Sequence, residues 1–377
     1  MSKISIHKVQ SKSELKEFVL FPFNLYKNNK FWVPPIIKDE IDNFSPKKNP
    51  VFQNADAQFF VAKKNNTIVG RVVAIINWFE VDKQQIKKMR FGWFDVIDDT
   101  EVTKVLLKKV KEIGVKHNLE YMEGPVGFNN LDKTGILVEG FDHIGSMITW
   151  YNFPYYKDHL ERLGFVQEKE YLENKFPFKN VDGAYYKRIS SILKKRLKVK
   201  PLRFTKTKDI LPYVDEMFKV FDKTYSKLST YVPISEAQIE FFKKKYISFI
   251  NPEYIIFVAD KKDKLVAFAI VMPSFSEALQ KAKGKLFPLG LFHLLNAKKN
   301  SKDVLFYLIG VDPAYQNKGV TAIIFEEYQK TFKEKNIKNC IRTPELSDND
   351  AIRKLWKDFD PIIIKRRKTY KMDLKKF

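Results

Sequence analysis

The chain has a single cysteine, Cys340, among its 377 residues. One thiol makes no intrachain disulfide and no cysteine-based metal site, so the fold must rest on its apolar core. Histidine is almost as scarce. His7, His117, His143, His159 and His293 are dispersed, and no two stand four residues apart as a zinc-binding helix requires. Glycine occupies only 14 positions, so each marks a place where a side chain could obstruct something. No run approaches the ~18 apolar residues of a membrane span. The opening MSKISIHKVQ lacks the apolar stretch of a secretory signal. Together these absences lead to the expectation of a cytoplasmic protein without a metal.

Aromatic residues are plentiful, with 33 Phe and 17 Tyr, and 44% of the chain is hydrophobic. Such a chain fills large cores and is not disordered. Its length makes two domains the expectation. The formal charge is +23. A polyanion partner and a lysine-rich solvated surface both account for that value. The lysines are scattered, which favours the solvated surface. The densest clusters, LKKRLKVK (193–200) and KRRKTYK (365–371), lack the aromatic and glycine pattern of an RNA-binding strand. No specific nucleic-acid partner is therefore expected.

Periodicity organises the rest. A strand over 4–9 precedes a helix opened by Ser11 or Ser13 and running to about Lys27. FWVPP (31–35) reads as extended, because each proline disfavours helix in the residue before it. Residues 57–77 read as a hairpin turning at KKNN, and 89–97 as a third strand. A helix capped by Asp99 or Thr100 follows, with Val102, Val105, Leu106, Val110 and Ile113 on one face. A strand, a helix ending at Gly164 and a closing strand over 171–178 complete the first half. Residues 181–198 form a basic amphipathic linker helix. The order then repeats: a strand, a helix with Pro212 in its first turn, a helix capped by Ser235, a hairpin turning at DKKDK, a strand, a helix, a strand, a helix and a final strand over 366–374. The repeated order predicts two copies of one α/β fold, 1–180 and 199–377, joined by 181–198.

The apolar strand VLFYLIGV (304–311) runs into VDPAYQNKGVTAIIF (311–325). A loop with one glycine opens a helix there. Unpaired N–H groups at a helix N-terminus, with the helix dipole behind them, suit a phosphate. Lys318 adds positive charge. This stretch, with the element order, resembles the GCN5-related N-acetyltransferase (GNAT) superfamily. That family's signature is a strand, Arg/Gln-x-x-Gly-x-Gly/Ala, then a helix. Gln316, Asn317, Lys318, Gly319 and Val320 match in order, with Thr321 in the sixth place and Ala322 after it. The order resemblance covers nearly both halves, and the loop signature occurs only in the second.

The resemblance implies tandem GNAT folds, each a mixed, mostly antiparallel sheet flanked by helices. It implies acetyl-CoA or another acyl-CoA as cofactor. The pyrophosphate would lie on residues 316–322, and the pantetheine arm on Ile309, Gly310 and Val311. The first half places Asp95, Asp98 and Asp99 where a pyrophosphate would lie, so it reads as a degenerate copy. Its Asn152, Tyr155, Tyr156 and LGF (163–165) are similar to the family's later motif, which makes Tyr156 a candidate acid for the leaving thiol. In the second half Asn349 matches the motif's asparagine, but Trp356 stands where the acid tyrosine is expected, and an indole releases no such proton. Glu345 is the candidate base for an amine.

Residues 273–303 form an insertion with an apolar middle flanked by lysines. It could pack between the halves, cover the site, or touch a membrane surface through 286–297. Three functions remain open: an acyl-CoA N-acyltransferase on a small-molecule or peptide amine, an aminoacyl-tRNA-dependent peptidyl transferase, and a non-catalytic acyl-CoA-binding protein.

Overall fold

The computed structural model describes residues 3–226, 228, 231–244 and 250–377. The first half contains β1 (Ile4–Lys8), α1 (Lys12–Leu25), α2 (Ile37–Asn43), β2 (Ala55–Lys64), β3 (Thr67–Asn77), β4 (Lys88–Val96), α3 (Thr100–Lys116), β5 (Tyr121–Gly124), β6 (Ile136–Glu139), α4 (Tyr155–Arg162) and β7 (Val166–Pro177). Helix α5 (Gly183–Leu197) links it to the second half. There follow β8 (Lys200–Arg203), α6 (Val214–Tyr225), α7 (Glu236–Phe242), β9 (Ile255–Ala259), β10 (Leu265–Pro273), α8 (Ser276–Ala282), α9 (Gly290–Asn300), β11 (Asp303–Val311), α10 (Thr321–Glu334), β12 (Asn339–Leu346), α11 (Asp350–Trp356) and β13 (Ile362–Asp373).

Local chemistry sets many of these boundaries. Ser11 and Glu14 form a capping box at α1, and Ser235 and Gln238 form one at α7. Asp99 caps α3 by accepting the Glu101 N–H. The β2–β3 hairpin turns on Asn65 and Asn66, both left-handed with φ of 47° and 63°. Other boundaries differ from the sequence expectation. Helix α1 stops at Leu25. Pro212 lies in a 3-10 turn before α6, not inside it. Strand β7 starts five residues before the expected 171, β13 starts at Ile362, and β6 was not anticipated. The helix expected over 235–250 runs from Glu236 to Phe242, and its expected continuation at 245–249 lies outside the described residues.

The described strands form one sheet, in the order β1, β2, β3, β4, β5, β13, β7, β12, β11, β10, β9, β8, with β6 on β13. Most neighbours are antiparallel. The parallel pairs are β4 with β5 and β11 with β12, one in each half. At the centre the halves exchange strands. The C-terminal β13 lies against β5, with Tyr370 opposite Gly124, and β7 lies against β12, with Phe176 opposite Cys340. Neither half therefore holds every strand of its own sheet.

Buried charges lock this exchange. Glu173 on β7 accepts from Arg367 Nε at 2.5 Å and pairs with Lys365 Nζ at 3.5 Å, all three being buried. Arg367 also donates to the Trp150 carbonyl at 2.6 Å. Part of the cluster KRRKTYK thus belongs to the interior and not to a solvated basic surface.

Helices cover both faces. In the first half α3 packs Val102, Leu106 and Val110 on one face, and α1 places Phe18 and Val19 on the other. In the second half α10 and α5 cover one face with Ile323, Ile324 and Leu193, and α6 covers the other with Val214 and Phe221. The insertion forms α8 and α9, which pack on Val33 and Ile36 of the first half.

Candidate active site

Strands β11 and β12 are paired only from Asp303 opposite Asn339 to Phe306 opposite Arg342. There β11 carries a bulge. Val271 of β10 faces Phe306 and Ile270 faces Leu308, so Tyr307 is the extra residue. The parallel strands then separate into a cleft of about 740 Å³. Tyr225 Oη donates to the Ile309 carbonyl at 3.1 Å, and Gln316 Nε2 and Thr224 Oγ1 donate to that of Val311 at 3.0 and 3.1 Å. An extended strand turns the N–H and C=O of one residue to the same edge. The Ile309 and Val311 amides therefore face the cleft, whereas the backbone groups of Gly310 turn toward β10. Gly310 is required for packing, since a Cβ there would lie 2.4 Å from the Phe268 ring.

The loop after β11 closes one end. Asp312 accepts the Ala314 N–H at 3.0 Å and pairs with Lys223 at 2.9 Å, which neutralises the carboxylate at the head of the loop. Asn317 and Gly319 are left-handed, with φ of 59° and 80°. A Cβ on Gly319 would come within 3.1 Å of Leu193 on α5, so the linker helix braces this loop. Val320, the N-cap of α10, supplies no capping side chain. The Gly319 and Val320 amides have no hydrogen-bond partner among the described residues. Free amides, a positive dipole end and a glycine that keeps the backbone open are what an anion needs. The residues present thus fit the pyrophosphate of a coenzyme A thioester.

Ile309, Gly310, Val311, Gln316, Asn317, Gly319, Val320, Thr321, Glu345 and Asn349 all line the cleft. Lys318 instead stands on the rim with its Nζ 5.5 Å from the Tyr315 ring centre, and Ala322 is buried in the core. Asn349 caps α11 by accepting the Ile352 N–H at 3.3 Å. Glu345 is held by an ion pair with Arg342, which lies over the Trp356 ring at 5.1 Å. Trp356 is buried against Phe306 and Phe325. Arg342 Nε and Trp356 Nε1, both bordering the cleft, have no hydrogen-bond partner among the described residues.

The opposite wall comes from the first half, through residues that the sequence did not single out. The loop between β5 and β6 brings in Asp132, whose Oδ2 accepts the Phe128 and Asn129 N–H groups at 2.9 and 3.1 Å. Burial pushes its carboxyl up to about 6, against the pull of those two bonds. Behind it Arg90 grips Glu80 through bonds of 2.7 and 2.6 Å, and Lys88 bridges Glu80 and Glu123 at 2.9 and 3.1 Å. Burial alone would raise the Glu80 carboxyl, but Arg90 and Lys88 hold it down to about 2. A smaller apolar cavity, about 90 Å³, adjoins the cleft between α6, α7 and the sheet. Val214, Met217 and Phe218 line it, and it shares Leu131, Asp132, Tyr307 and Leu308 with the cleft.

The first half repeats the parallel pair but fills the space. Tyr26, Tyr155 and Tyr156 crowd the end of β4, and Tyr156 is fully buried there. It lies in this plug and not in the cleft of the second half. The three carboxylates have structural partners: Asp95 with Arg71 at 2.7 Å, Asp98 with His159 at 3.1 Å, and Asp99 with Lys64 and the α3 amides.

The fold is the tandem GNAT fold, with two copies of that fold in one chain. A tandem GNAT protein from the clavulanic acid biosynthesis pathway superposes with a TM-score of 0.59, covering 99% of both chains at 9% identity. A GCN5-related N-acetyltransferase from Sphaerobacter thermophilus gives 0.51, covering 98% of this chain and 96% of its own at 7% identity. In sequence the chain is similar to Protein YghO of Escherichia coli, 25% identical over 316 residues that make up 83% of this chain and 80% of that protein. It is also 23% identical over 319 residues to a bacterial ceramide synthase of Caulobacter vibrioides, covering 83% of this chain and 82% of that protein. No protein-family model matches the chain.

Proposed function

We propose that this protein is an acyl-CoA-dependent N-acyltransferase with one cofactor site, in the cleft of the second half. The observation that carries the reading is the splayed β11–β12 pair ending on the uncapped N-terminus of α10. Acyl-CoA, when bound, supplies an activated thioester. The Gly319 and Val320 amides and the α10 dipole hold its pyrophosphate. The Ile309 and Val311 amides bond its pantetheine arm. Asp132 takes the proton from the incoming ammonium, since a carboxyl poised near 6 is a better base at neutral pH than an ordinary aspartate. Glu345 is tied to Arg342 and serves the wall. Tyr307 lines the cleft beside Asp132, and burial keeps its hydroxyl protonated. Burial makes it a weaker acid than a free tyrosine, so it hydrogen-bonds the leaving sulfur, which takes up the proton that the nitrogen sheds on acylation.

The acceptor is an amine bearing an alkyl chain. The apolar cavity next to Asp132 supports this, as does the relative named for making a ceramide, itself an N-acylated lipid. The reading puts the protein in the cytoplasm, where acyl-CoA is found. The aminoacyl-tRNA reading loses ground because Lys365 and Arg367 are spent on Glu173.

The test is calorimetry with CoA and acyl-CoA, then thiol release with primary amines of increasing alkyl length. Binding plus amine-dependent thiol release is the expected result. Binding without release from any amine would make the protein a non-catalytic acyl-CoA binder. Absence of binding would remove the assignment.

A further inference from the structure

The insertion between β10 and β11 has two faces of opposite character. Its inner face is fixed to the first half. Leu294, with Phe275 and Leu279, packs on Val33 and Ile36. Ser276 Oγ donates to the Gly145 carbonyl at 2.7 Å, and Gln280 Nε2 donates to those of Lys30 and Trp32 at 2.8 and 2.9 Å. Whatever the outer face does, it does from a rigid mount.

That outer face is apolar and open. Phe287 is 72% exposed, Leu289 65%, Phe292 67% and Leu295 53%. On α9 the spacing of Phe292, Leu295 and Lys299 puts them on one side of the helix. Isolated exposed leucines are ordinary, but four large apolar side chains within nine residues make a patch of the kind that marks an interaction surface.

Charge narrows the partner. Residues 281–302 contain six lysines and no aspartate or glutamate. Lys281, Lys283, Lys285 and Lys299 are exposed around the apolar tip. A second copy of this chain would set lysine rim against lysine rim, which like-charge repulsion opposes. An anionic bilayer surface meets both demands. Phenylalanine and leucine enter the headgroup–acyl boundary while the ammonium groups remain at the phosphates. Crossing is not involved, because no helix among the described residues is long and apolar enough to span.

We propose that the α8–α9 insertion seats the protein on an anionic membrane surface, with Phe287, Leu289, Phe292 and Leu295 in the interface and the surrounding lysines at the headgroups. This rests on the surface alone and is independent of the catalytic reading.

The test is co-sedimentation of the full chain with vesicles of phosphatidylcholine, alone or mixed with phosphatidylglycerol. Binding is expected with the mixed vesicles and should fall with salt. A combined Phe287→Ser, Leu289→Ser, Phe292→Ser and Leu295→Ser variant should keep its melting temperature, since these side chains are exposed, and bind at least ~10-fold more weakly. Failure of the wild type to bind the mixed vesicles would overturn the proposal. So would equal binding by the variant, which would mean diffuse lysine attraction. A wild-type dimer in sedimentation velocity that the variant dissolves would assign the patch to a second copy instead and overturn it as well.

Discussion

The Val96 N–H donates to Tyr156 Oη at 2.9 Å, and the Val96 carbonyl accepts from Tyr155 Oη at 2.7 Å. Both backbone groups of the last β4 residue are therefore occupied by side chains of α4. In the second half side chains take only the carbonyls of the comparable edge, at Ile309 and Val311, and the amides there open onto the cleft. The pseudo-repeat has one open groove and one sealed by its own tyrosines.

One CoA should bind per chain. Sealing by Tyr155 and Tyr156, with Asp99 already on the α3 amides, fills the place in the first half that corresponds to the cleft and its cradle. Isothermal titration should give a stoichiometry of one, and a stoichiometry of two would show that the plug opens.

Asn317→Asp should weaken CoA binding about 10- to 100-fold with little loss of stability. Asparagine and aspartate both tolerate the left-handed backbone at this position, so the main change is a negative charge at the phosphate cradle. Gly319→Asp should abolish binding but also lower the melting temperature, because its side chain presses on Leu193. Unchanged affinity in Asn317→Asp would sink the cradle assignment.

Asp132→Asn should lower kcat by about 100-fold or more and remove the rising limb near pH 6. It should also stabilise the fold at high pH. A carboxyl raised above its unfolded value favours the folded state when protonated, and that stability is lost as pH rises through about 6. Above pH 6 the variant should be more stable than wild type by on the order of 1–2 kcal/mol. A variant that is equally active and has the wild-type pH profile would exclude Asp132 as base.

Glu80→Gln should cost about 3 kcal/mol at neutral pH, because Arg90 and Lys88 lose a buried counter-charge. The Glu80 carboxyl is depressed, so its contribution is present above about 4.5 and fades as pH falls toward 2. Denaturant unfolding across that interval should show the gap between wild type and variant closing. A gap independent of pH would place the energetic role of Glu80 elsewhere.

Caps, hairpins and the Gln316–Gly319 loop were legible because each depends on neighbours in sequence. Ser11 with Glu14, Asn65 with Asn66, and the glycine ahead of α10 are local solutions to local problems. The strand exchange was not legible, since β13 pairs with β5 across nearly 250 residues and nothing within either strand specifies that partner. Asp132 was missed for a related reason. It stands in an irregular loop of the first half, with no motif around it, and its carboxyl is raised by burial that the local sequence does not reveal. Tyr156 showed the opposite failure. Its local pattern resembles an acid motif, yet tertiary packing turned it into a plug.

The placement of β13 also fixes a timetable for biosynthesis. The first half leaves the ribosome with β5 and β7 lacking the strand that belongs between them. That strand, Ile362–Asp373, is translated after the other described strands of the sheet. At ~5–20 residues per second the nascent sheet waits for the rest of the chain, with two edges open. Stalling or truncation shortly before Ile362 should release a product with a sticky sheet and no closed cleft, and cells would need a chaperone to guard that interval.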